Sequence, residues 1–202
     1  PNDSGRIRLT PQIEGVPPNQ NLIVRAAQAL QQATNCPGGC DIELDKQLPM
    51  GGGLGGGSSN AATTLLALNR LWGCDLPISR LAELGTRLGA DVPVFVEGRS
   101  AFAEGIGERL TPMEIAEAWY IVITPDCAVS TEEIFSHPQL TRNSPAIKIR
   151  ALSEEQYRND CQPVVEALFP PVKQVVKWLE NFGQPLMTGT GASVFCRWSS
   201  ED

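Results

Sequence analysis

A glycine-rich loop that runs directly into a helix-forming segment constrains the fold more than any other feature. Between Leu48 and Ala62 the sequence reads Leu-Pro-Met-Gly-Gly-Gly-Leu-Gly-Gly-Gly-Ser-Ser-Asn-Ala-Ala, in which six residues are glycine. Glycine permits positive φ and lets backbone N–H groups approach an anion closely, and the first turn of the next helix adds N–H groups that lack intrahelical acceptors. We predict that this helix begins at Ser58 or Ser59 and that the loop binds the phosphates of a nucleoside triphosphate.

Three other interpretations of the loop fit the sequence less well. A flexible linker has no reason to end in an N-cap pair followed by an amphipathic helix. A Rossmann fingerprint would match Gly51, Gly53 and Gly56, but the strand that must follow its helix is missing. A Walker loop requires Gly-Lys-Ser/Thr, whereas Gly57 is followed by Ser58.

Composition indicates a soluble globular protein and is compatible with a small anionic ligand. The chain has 202 residues, 42% of them hydrophobic, and a net charge of −7. This charge argues against a nucleic-acid or membrane-surface partner, which needs a broad basic patch, whereas local N–H groups and one or two cations hold a small anion. No apolar run approaches the ~20 residues of a membrane span, and residues 1–5 do not resemble a signal peptide. We therefore expect a cytoplasmic protein, and the sequence leaves its oligomeric state open.

The six cysteines are interpreted as reduced, mostly structural thiols. Cys36 and Cys40 form one close pair, but no second pair and no nearby histidine completes a zinc site. His137, the single histidine, lies in a turn and is interpreted as a surface residue.

Hydrophobic periodicity and capping residues predict alternating strands and helices. Strands or strand-like segments are expected at 6–10, 41–48, 90–96, 100–103, 119–124 and just after a glycine-rich turn at 188–193. Helices are expected from the cap Asn21 to Asn35, from 59 to 72, from the cap Ser79 to Gly89, after the cap Ser130, from the cap Asp160 to Leu168, and from 170 to 183. A tight turn is expected at 104–108.

The glycine loop and five other segments resemble the GHMP small-molecule kinases. Pro49-Met-Gly-Gly-Gly-Leu-Gly-Gly-Gly-Ser-Ser-Asn-Ala-Ala62 is similar to the second signature of that family. Further similar segments follow in the family's order: Asn21–Ala27, Leu88-Gly-Ala-Asp-Val-Pro-Val-Phe95, Ala101–Glu108, Asn159-Asp160 and Thr188-Gly-Thr-Gly-Ala192. The resemblance covers nearly the whole chain.

This resemblance implies a two-domain α/β fold and kinase activity. It implies an ATP-binding domain at 1–103, a ferredoxin-like domain at 104–202, and an active site between them that uses ATP and Mg²⁺. The doubled glycines resemble the branch that phosphorylates the 2-hydroxyl of 4-diphosphocytidyl-2-C-methyl-D-erythritol in the non-mevalonate isoprenoid pathway. The alternatives are a GHMP kinase for another small alcohol and a nucleotide-binding module without catalysis.

The resemblance also implies roles for individual residues. Asp91 matches the catalytic base, although an Asp at a helix start also serves as a cap, and Phe135 matches a ring against cytosine, although a core role fits the sequence equally. Residues matched to ATP binding are Asn21, Leu22, Lys46, Pro49, Met50, Gly51, Gly52, Gly53, Leu54, Gly55, Gly56, Gly57, Ser58 and Ser59. Residues matched to substrate binding are Asp91, Thr131, Phe135, Thr190 and Gly191.

Other roles stay open on the sequence alone. One hydroxyl of Ser58 or Ser59 contacts Mg²⁺ in related kinases, and the remaining metal ligands are unassigned. Lys46 is either a nucleotide ligand or a solvated strand residue, and the turn at 188–193 is either a tight bend or a second anion nest.

The two ends of the chain depart from the family pattern. The family opens with a Pro-Ala-Lys-Leu-Asn strand and a Gly-Tyr-His segment, which supply a catalytic lysine and substrate contacts, and neither motif occurs in these 202 residues. The family's last strand and helix would follow Asp202. We therefore expect both domains to lack an end, which is why the alternative without catalysis is retained.

Overall fold

The chain forms two compact units, each with its own core. The computed structural model describes residues 1–145 and 157–198. The first unit comprises Pro1–Lys46 and Gly55–Ile115, and the second comprises Gln47–Leu54 and Ala116–Asp202. The predicted boundary after residue 103 stays a prediction.

The first unit combines one parallel strand pair, four helices and a hairpin. Its elements are β1 (Ile7–Thr10), α1 (Leu22–Thr34), β2 (Cys40–Glu43), α2 (Gly56–Leu71), α3 (Ile78–Thr86), α4 (Val92–Glu97), β3 (Ala101–Glu104) and β4 (Arg109–Pro112). β1 pairs in parallel with β2, and β3 pairs antiparallel with β4, which confirms the predicted turn at 104–108. β2 is shorter than the predicted strand 41–48.

Helices α1 and α2 pack closely because small residues lie on their facing surfaces. Ala26, Ala27, Ala61 and Ala62 are at most 1% exposed, and they share one core cluster with the leucines of both helices. The predicted caps of α1 are confirmed: Asn21 Oδ1 accepts the Ile23 N–H at 2.9 Å, and Asn35 adopts φ 52° at the C-cap. The sequence therefore specifies α1 locally, and α2 packs against it.

Two predicted helix starts are wrong by one or more residues. α2 begins at Gly56, not at Ser58 or Ser59, because Gly55 takes the left-handed conformation (φ 67°) that permits glycines inside the first turn. α3 begins at Ile78, with Pro77 rather than Ser79 as its N-cap, and it ends at Thr86, before Gly89.

The prediction of a strand-like segment at 90–96 is wrong, because most of this segment forms helix α4. Pro93 lies in the first turn of this helix, where its missing N–H has no role, whereas in a strand it would interrupt the ladder. Val92 and Val96, four residues apart, are both buried in the core of the first unit, and Gly98 ends the helix at φ 65°. A short apolar run in the sequence does not by itself distinguish a strand from a helix.

In the residues that the structure describes, the second unit packs helices against a three-stranded antiparallel sheet. Its elements are β5 (Trp119–Ile123), α5 (Thr131–Ser136), α6 (Gln162–Leu168), α7 (Pro170–Leu179), β6 (Pro185–Met187) and β7 (Val194–Trp198), with strand order β5-β7-β6. Its core joins Ile134, Val165, Val172, Leu179 and Val194, all fully buried. The Ser130 cap is confirmed, since Ser130 Oγ accepts the Glu133 N–H at 3.3 Å.

Two helix ends in this unit differ from the prediction. Cys161, not Asp160, is the N-cap of α6, and Asn159 Oδ1 accepts the Cys161 N–H at 2.9 Å. α7 ends at Leu179, before the predicted end at residue 183.

Across the described ranges, none of the helices combines the length and apolar character that a bilayer span requires.

Candidate active site

The glycine loop has the backbone that the sequence predicts for an anion-binding loop. Gly51, Gly53 and Gly55 have φ values of 69°, 71° and 67°. After them, the first intrahelical bond of α2 runs from the Ser59 N–H to the Gly55 oxygen at 2.8 Å, so the three preceding N–H groups have no acceptor within the helix. No side chain caps this end, and its first turn contains no acidic residue. The start of α2 therefore offers N–H donors and the positive end of a helix dipole.

The segment that contains Asp91 lies beside this helix start. A Cβ atom added to Gly89 would be 3.9 Å from Ser58 Oγ, so the residue two positions before Asp91 lies close to the first turn of α2. The hairpin turn holds this segment from another side, since a Cβ on Gly107 would be 2.6 Å from the Ala90 carbonyl oxygen. The fold thus brings Asp91 and Ser58, which are 33 positions apart, into one region of the first unit.

The Asp91 carboxylate is exposed and is not used as a helix cap. Asp91 occupies the N-cap position of α4, but its backbone is helical (φ −86°, ψ −12°) and its side chain makes no capping hydrogen bond. The capping alternative is therefore wrong for this side chain. A carboxylate that does not serve the backbone is available to accept a proton from a bound hydroxyl.

Turn residues 104–108, which support the Asp91 segment, are braced by Glu108. Its carboxylate accepts the Ile106 N–H at 2.7 Å. Hydrogen bonds from the backbone N–H groups of Glu108 itself and of Ile106 lower the pKa of the Glu108 carboxyl. The exposed acid thus contributes to local geometry.

Two apolar side chains border the glycine end of α2. A Cβ on Gly57 would be 3.5 Å from Leu22 Cδ1, which places the predicted nucleotide contact Leu22 beside the first turn. A Cβ on Gly55 would be only 2.8 Å from Phe95 Cζ. Sequence reasoning assigned Phe95 no role, although the ring closes the motif Gly-Ala-Asp-Val-Pro-Val-Phe. Neighbouring Asn21 is 6% exposed, and its side-chain oxygen caps α1.

The first half of the glycine loop binds to the turn at 188–193 in the second unit. The Ala192 and Ser193 N–H groups donate to the carbonyl oxygens of Gly51 and Gly52 at 3.2 and 3.1 Å. A Cβ on Gly53 would be 2.5 Å from the Thr188 carbonyl oxygen and 2.9 Å from that of Gly191. Glycine at position 53 is therefore required both by its φ and by the close approach of another backbone.

These hydrogen bonds use four of the backbone N–H groups that a second anion nest at 188–193 would offer. The Thr188 and Gly191 N–H groups donate within the turn, to Ser193 and Thr188 oxygens at 2.9 and 2.8 Å, and Ala192 and Ser193 donate to the glycine loop. Four donors are thus already used, so the turn acts as a dock for the loop. Sequence reasoning could not find this role, because it depends on a contact between segments more than 130 residues apart.

Two pairs of hydroxyl groups also link the turn at 188–193 to other segments of the second unit. Thr131 and Thr190, both predicted substrate contacts, are hydrogen-bonded at 2.9 Å, and Thr124 and Ser193 at 2.7 Å. Thr190 is 9% exposed and Ser193 is fully buried. Thr124 had no predicted role, and Ser193 was considered only as the end of the turn at 188–193; no local sequence signal predicts their contact.

Phe135 lies on α5 with its side chain largely in solvent. It is 57% exposed, so the alternative that it belongs to the core is wrong. Its carbonyl oxygen accepts a hydrogen bond from the Arg142 guanidinium at 2.7 Å, which ties the end of α5 to the following loop.

His137 is half-buried, and its Nδ1 accepts the Gln139 N–H at 3.3 Å, a local turn contact rather than a catalytic one.

The remaining predicted nucleotide contacts lie before the helix. Lys46 is half-buried and follows β2, whereas Pro49 and Met50 are exposed, with Met50 at 52%. Their contacts with a nucleotide stay predictions, as do those of Leu54 and Gly56. Within residues 1–145 and 157–198, no group of three or more His, Cys, Asp or Glu side chains forms a metal cluster.

Comparison with known proteins identifies the family. The model of the GHMP kinases N terminal domain matches residues 21–99, and that of the GHMP kinases C terminal matches residues 137–202. A 4-diphosphocytidyl-2-C-methyl-D-erythritol kinase of Pseudomonas aeruginosa is 60% identical over 191 residues, which are 95% of this chain and 68% of the relative. The enzyme of that name from Tolumonas auensis is 52% identical over 200 residues, 99% of this chain and 70% of the relative.

Solved structures agree with this comparison. The crystal structure of a 4-(cytidine 5'-diphospho)-2C-methyl-D-erythritol kinase matches with a TM-score of 0.81 and 32% identity, covering 99% of this chain and 75% of that chain. A homoserine kinase from Cytophaga hutchinsonii matches with a TM-score of 0.75 at 18% identity, covering 96% and 73%, and supports the fold alone. The chain spans about two thirds of the length of its curated relatives, and it belongs to the GHMP kinases, among the 4-diphosphocytidyl-2-C-methyl-D-erythritol kinases.

Proposed function

We propose that the protein transfers the γ-phosphate of ATP to the 2-hydroxyl of 4-diphosphocytidyl-2-C-methyl-D-erythritol. The observation that carries this proposal is identity of 52–60% to relatives with that enzyme name over nearly the whole chain. The geometry is consistent with it, since the uncapped start of α2 lies near the segment that carries the exposed Asp91 carboxylate. The reaction belongs to the non-mevalonate route to isoprenoid precursors.

The glycine loop and the start of α2 supply the phosphate site. The N–H groups of Gly56, Gly57 and Ser58 have no acceptor within the helix, and the helix dipole adds positive potential where the charge of ATP is highest. Leu22 borders the same turn, which supports a nucleotide that extends from the loop toward the start of α1. Lys46, which precedes the loop, is proposed to approach the nucleotide as a cation.

Asp91 is proposed as the general base. Its carboxylate accepts the proton of the 2-hydroxyl as that oxygen bonds to the γ-phosphorus, while the bond from the γ-phosphorus to the β,γ-bridging oxygen breaks and ADP leaves. Phosphoryl transfer depends mainly on positioning and on stabilisation of charge. This chain supplies most of both through one carboxylate and a row of N–H donors. The free carboxylate also disfavours the alternative of a module without catalysis.

The residues near the helix start fit a magnesium ion held mainly by ATP. Mg²⁺ prefers oxygen ligands and binds through one or two protein groups together with phosphates and water. The hydroxyl of Ser58, or alternatively that of Ser59, would provide one such oxygen, while Asp91 is kept as the proton acceptor. When bound, the ion neutralises charge on the transferred phosphate.

Phe135 is proposed to recognise the cytosine ring. Its exposed face is free for stacking, and stacking on an aromatic ring tolerates any base, so neighbouring polar groups must select cytosine. Thr131 lies on the same helix and is hydrogen-bonded to Thr190, and these two hydroxyls and Gly191 are proposed as the polar contacts of the substrate.

An assay with the full-length protein tests the proposal. We expect ATP-dependent formation of a new phosphomonoester, detected by ³¹P NMR, with the cytidylated substrate and one ADP released per product. Homoserine and mevalonate are the control alcohols, because kinases for both share the fold. Equal turnover of a control alcohol, or ADP release without phosphorylated product, would refute the proposed substrate.

A further inference from the structure

Asn159 is held in one orientation by three hydrogen bonds. Its Nδ2 donates to the carbonyl oxygens of Met187 and Gly189 at 2.8 and 2.6 Å, and its Oδ1 accepts the Cys161 N–H at 2.9 Å. A rotated amide would place Oδ1 against two carbonyl oxygens, so only one orientation satisfies all three contacts. The side chain is half-buried and links the start of α6 to a turn far along the chain.

The turn that Asn159 contacts is the one that docks the glycine loop. Met187 and Gly189 lie on either side of Thr188, and the far end of the same turn donates its Ala192 and Ser193 N–H groups to the glycine loop. Gly189 and Gly191 have φ values of 50° and 90°, so the backbone of this turn has little intrinsic stiffness. Asn159 contacts this turn from outside, in addition to the hydroxyl pairs at Thr190 and Ser193 and the hydrogen bonds within the turn.

We propose that Asn159 is a positioning residue for the glycine loop. By fixing the carbonyl groups of Met187 and Gly189, it sets the orientation in which Ala192 and Ser193 meet the loop. The inference rests on the proposed function in one respect, namely that the loop carries the ATP phosphates. The alternative is that Asn159 serves only to start α6 through Cys161.

Asn159→Asp separates these two roles. The substitution preserves the size of the side chain and the oxygen that accepts the Cys161 N–H, so the start of α6 should persist. It replaces the Nδ2 donor with an oxygen that faces two carbonyl oxygens, a repulsive arrangement. Asn181→Asp is the matched control, because Asn181 Nδ2 donates only locally, to the Trp178 oxygen at 2.8 Å, and the charge change in the same unit is equal.

Hydrogen exchange measured on the full-length protein without nucleotide reports directly on the dock. The Ala192 and Ser193 amides, which donate to the loop, should exchange at least about tenfold faster in Asn159→Asp, whereas amides of α6 and α7 should keep the rates of the parent protein. Asn181→Asp should leave all of these rates unchanged. Unchanged exchange at Ala192 and Ser193, or a uniform increase that includes α6 and α7, would overturn the proposal.

Calorimetric ADP binding supplies the second readout. We expect about tenfold weaker binding by Asn159→Asp and no more than about a twofold change in Asn181→Asp, since two hydrogen bonds are lost in the first case. Faster exchange at the Ala192 and Ser193 amides with unchanged ADP affinity would contradict the proposal that Asn159 positions the glycine loop. If the parent protein does not bind ADP, the proposed function fails, and the exchange experiment still decides what Asn159 holds.

Discussion

At the scale of single residues, Asp91 carries the clearest chemical prediction. Asp91→Asn keeps the size of the side chain but removes the proton acceptor, and because the carboxylate caps nothing, folding should be unaffected. General-base catalysis typically contributes about 10²–10⁴-fold, so kcat should fall by that factor with the KM for ATP nearly constant. Steady-state kinetics of the full-length protein measure both constants, and a near-normal kcat would exclude Asp91 from the mechanism.

Phe135 tests recognition of the substrate. Phe135→Ala removes an exposed ring, so stability should change little, while loss of stacking costs about 1–3 kcal/mol, roughly a 5- to 150-fold rise in the KM for the cytidylated substrate. The KM for ATP should stay the same. Trp178→Ala, which removes another half-exposed ring from the same unit, is the control. A parallel rise of both KM values in Phe135→Ala would indicate a structural role.

At the scale of elements, the glycine loop owes its shape to the turn that docks it. Gly51 and Gly53 share nearly the same positive φ, but a Cβ at position 51 would have no atom within 4 Å, whereas one at position 53 would meet the Thr188 carbonyl at 2.5 Å. Gly51→Ala therefore adds only backbone strain, and Gly53→Ala adds strain and a backbone clash. We expect Gly53→Ala to weaken ADP binding by about tenfold more than Gly51→Ala, as measured by calorimetry. Equal losses would show that the dock does not shape the loop.

At the scale of the whole molecule, buried thiols couple stability to alkaline pH. Burial raises the pKa of the Cys40, Cys161 and Cys196 thiols above the ordinary value of 9.0. Because the folded state keeps these protons while the unfolded state releases them above pH 9, the free energy of unfolding should be constant below that pH and fall as pH rises toward the folded pKa values.

Urea denaturation between pH 7 and pH 10.5, under reducing conditions, measures this dependence. Cys196→Ala should have a shallower alkaline slope than the parent protein, because one buried group no longer titrates, although it is less stable at pH 7 through loss of a core side chain. An unchanged slope would assign the alkaline loss to other groups.

The sequence determined the elements whose signals are local. The Asn21 cap and the alanine-rich stripe specify α1, the Ser130 cap specifies α5, and glycines followed by a polar helix start predict a phosphate loop. Family membership was also predictable, because six motifs occur in the expected order. Each of these signals lies within a short run of consecutive residues, so the sequence alone carries it.

Only the tertiary structure decided the features that depend on distant partners. The segment before Gly98 becomes a helix because Val92 and Val96 are buried together in the core of the first unit. The turn at 188–193 becomes a dock because its N–H groups meet carbonyl groups of Gly51 and Gly52. A short apolar run and a glycine pair each allow several backbones, and the choice among them is made by burial and hydrogen bonding across the fold, which no local pattern encodes.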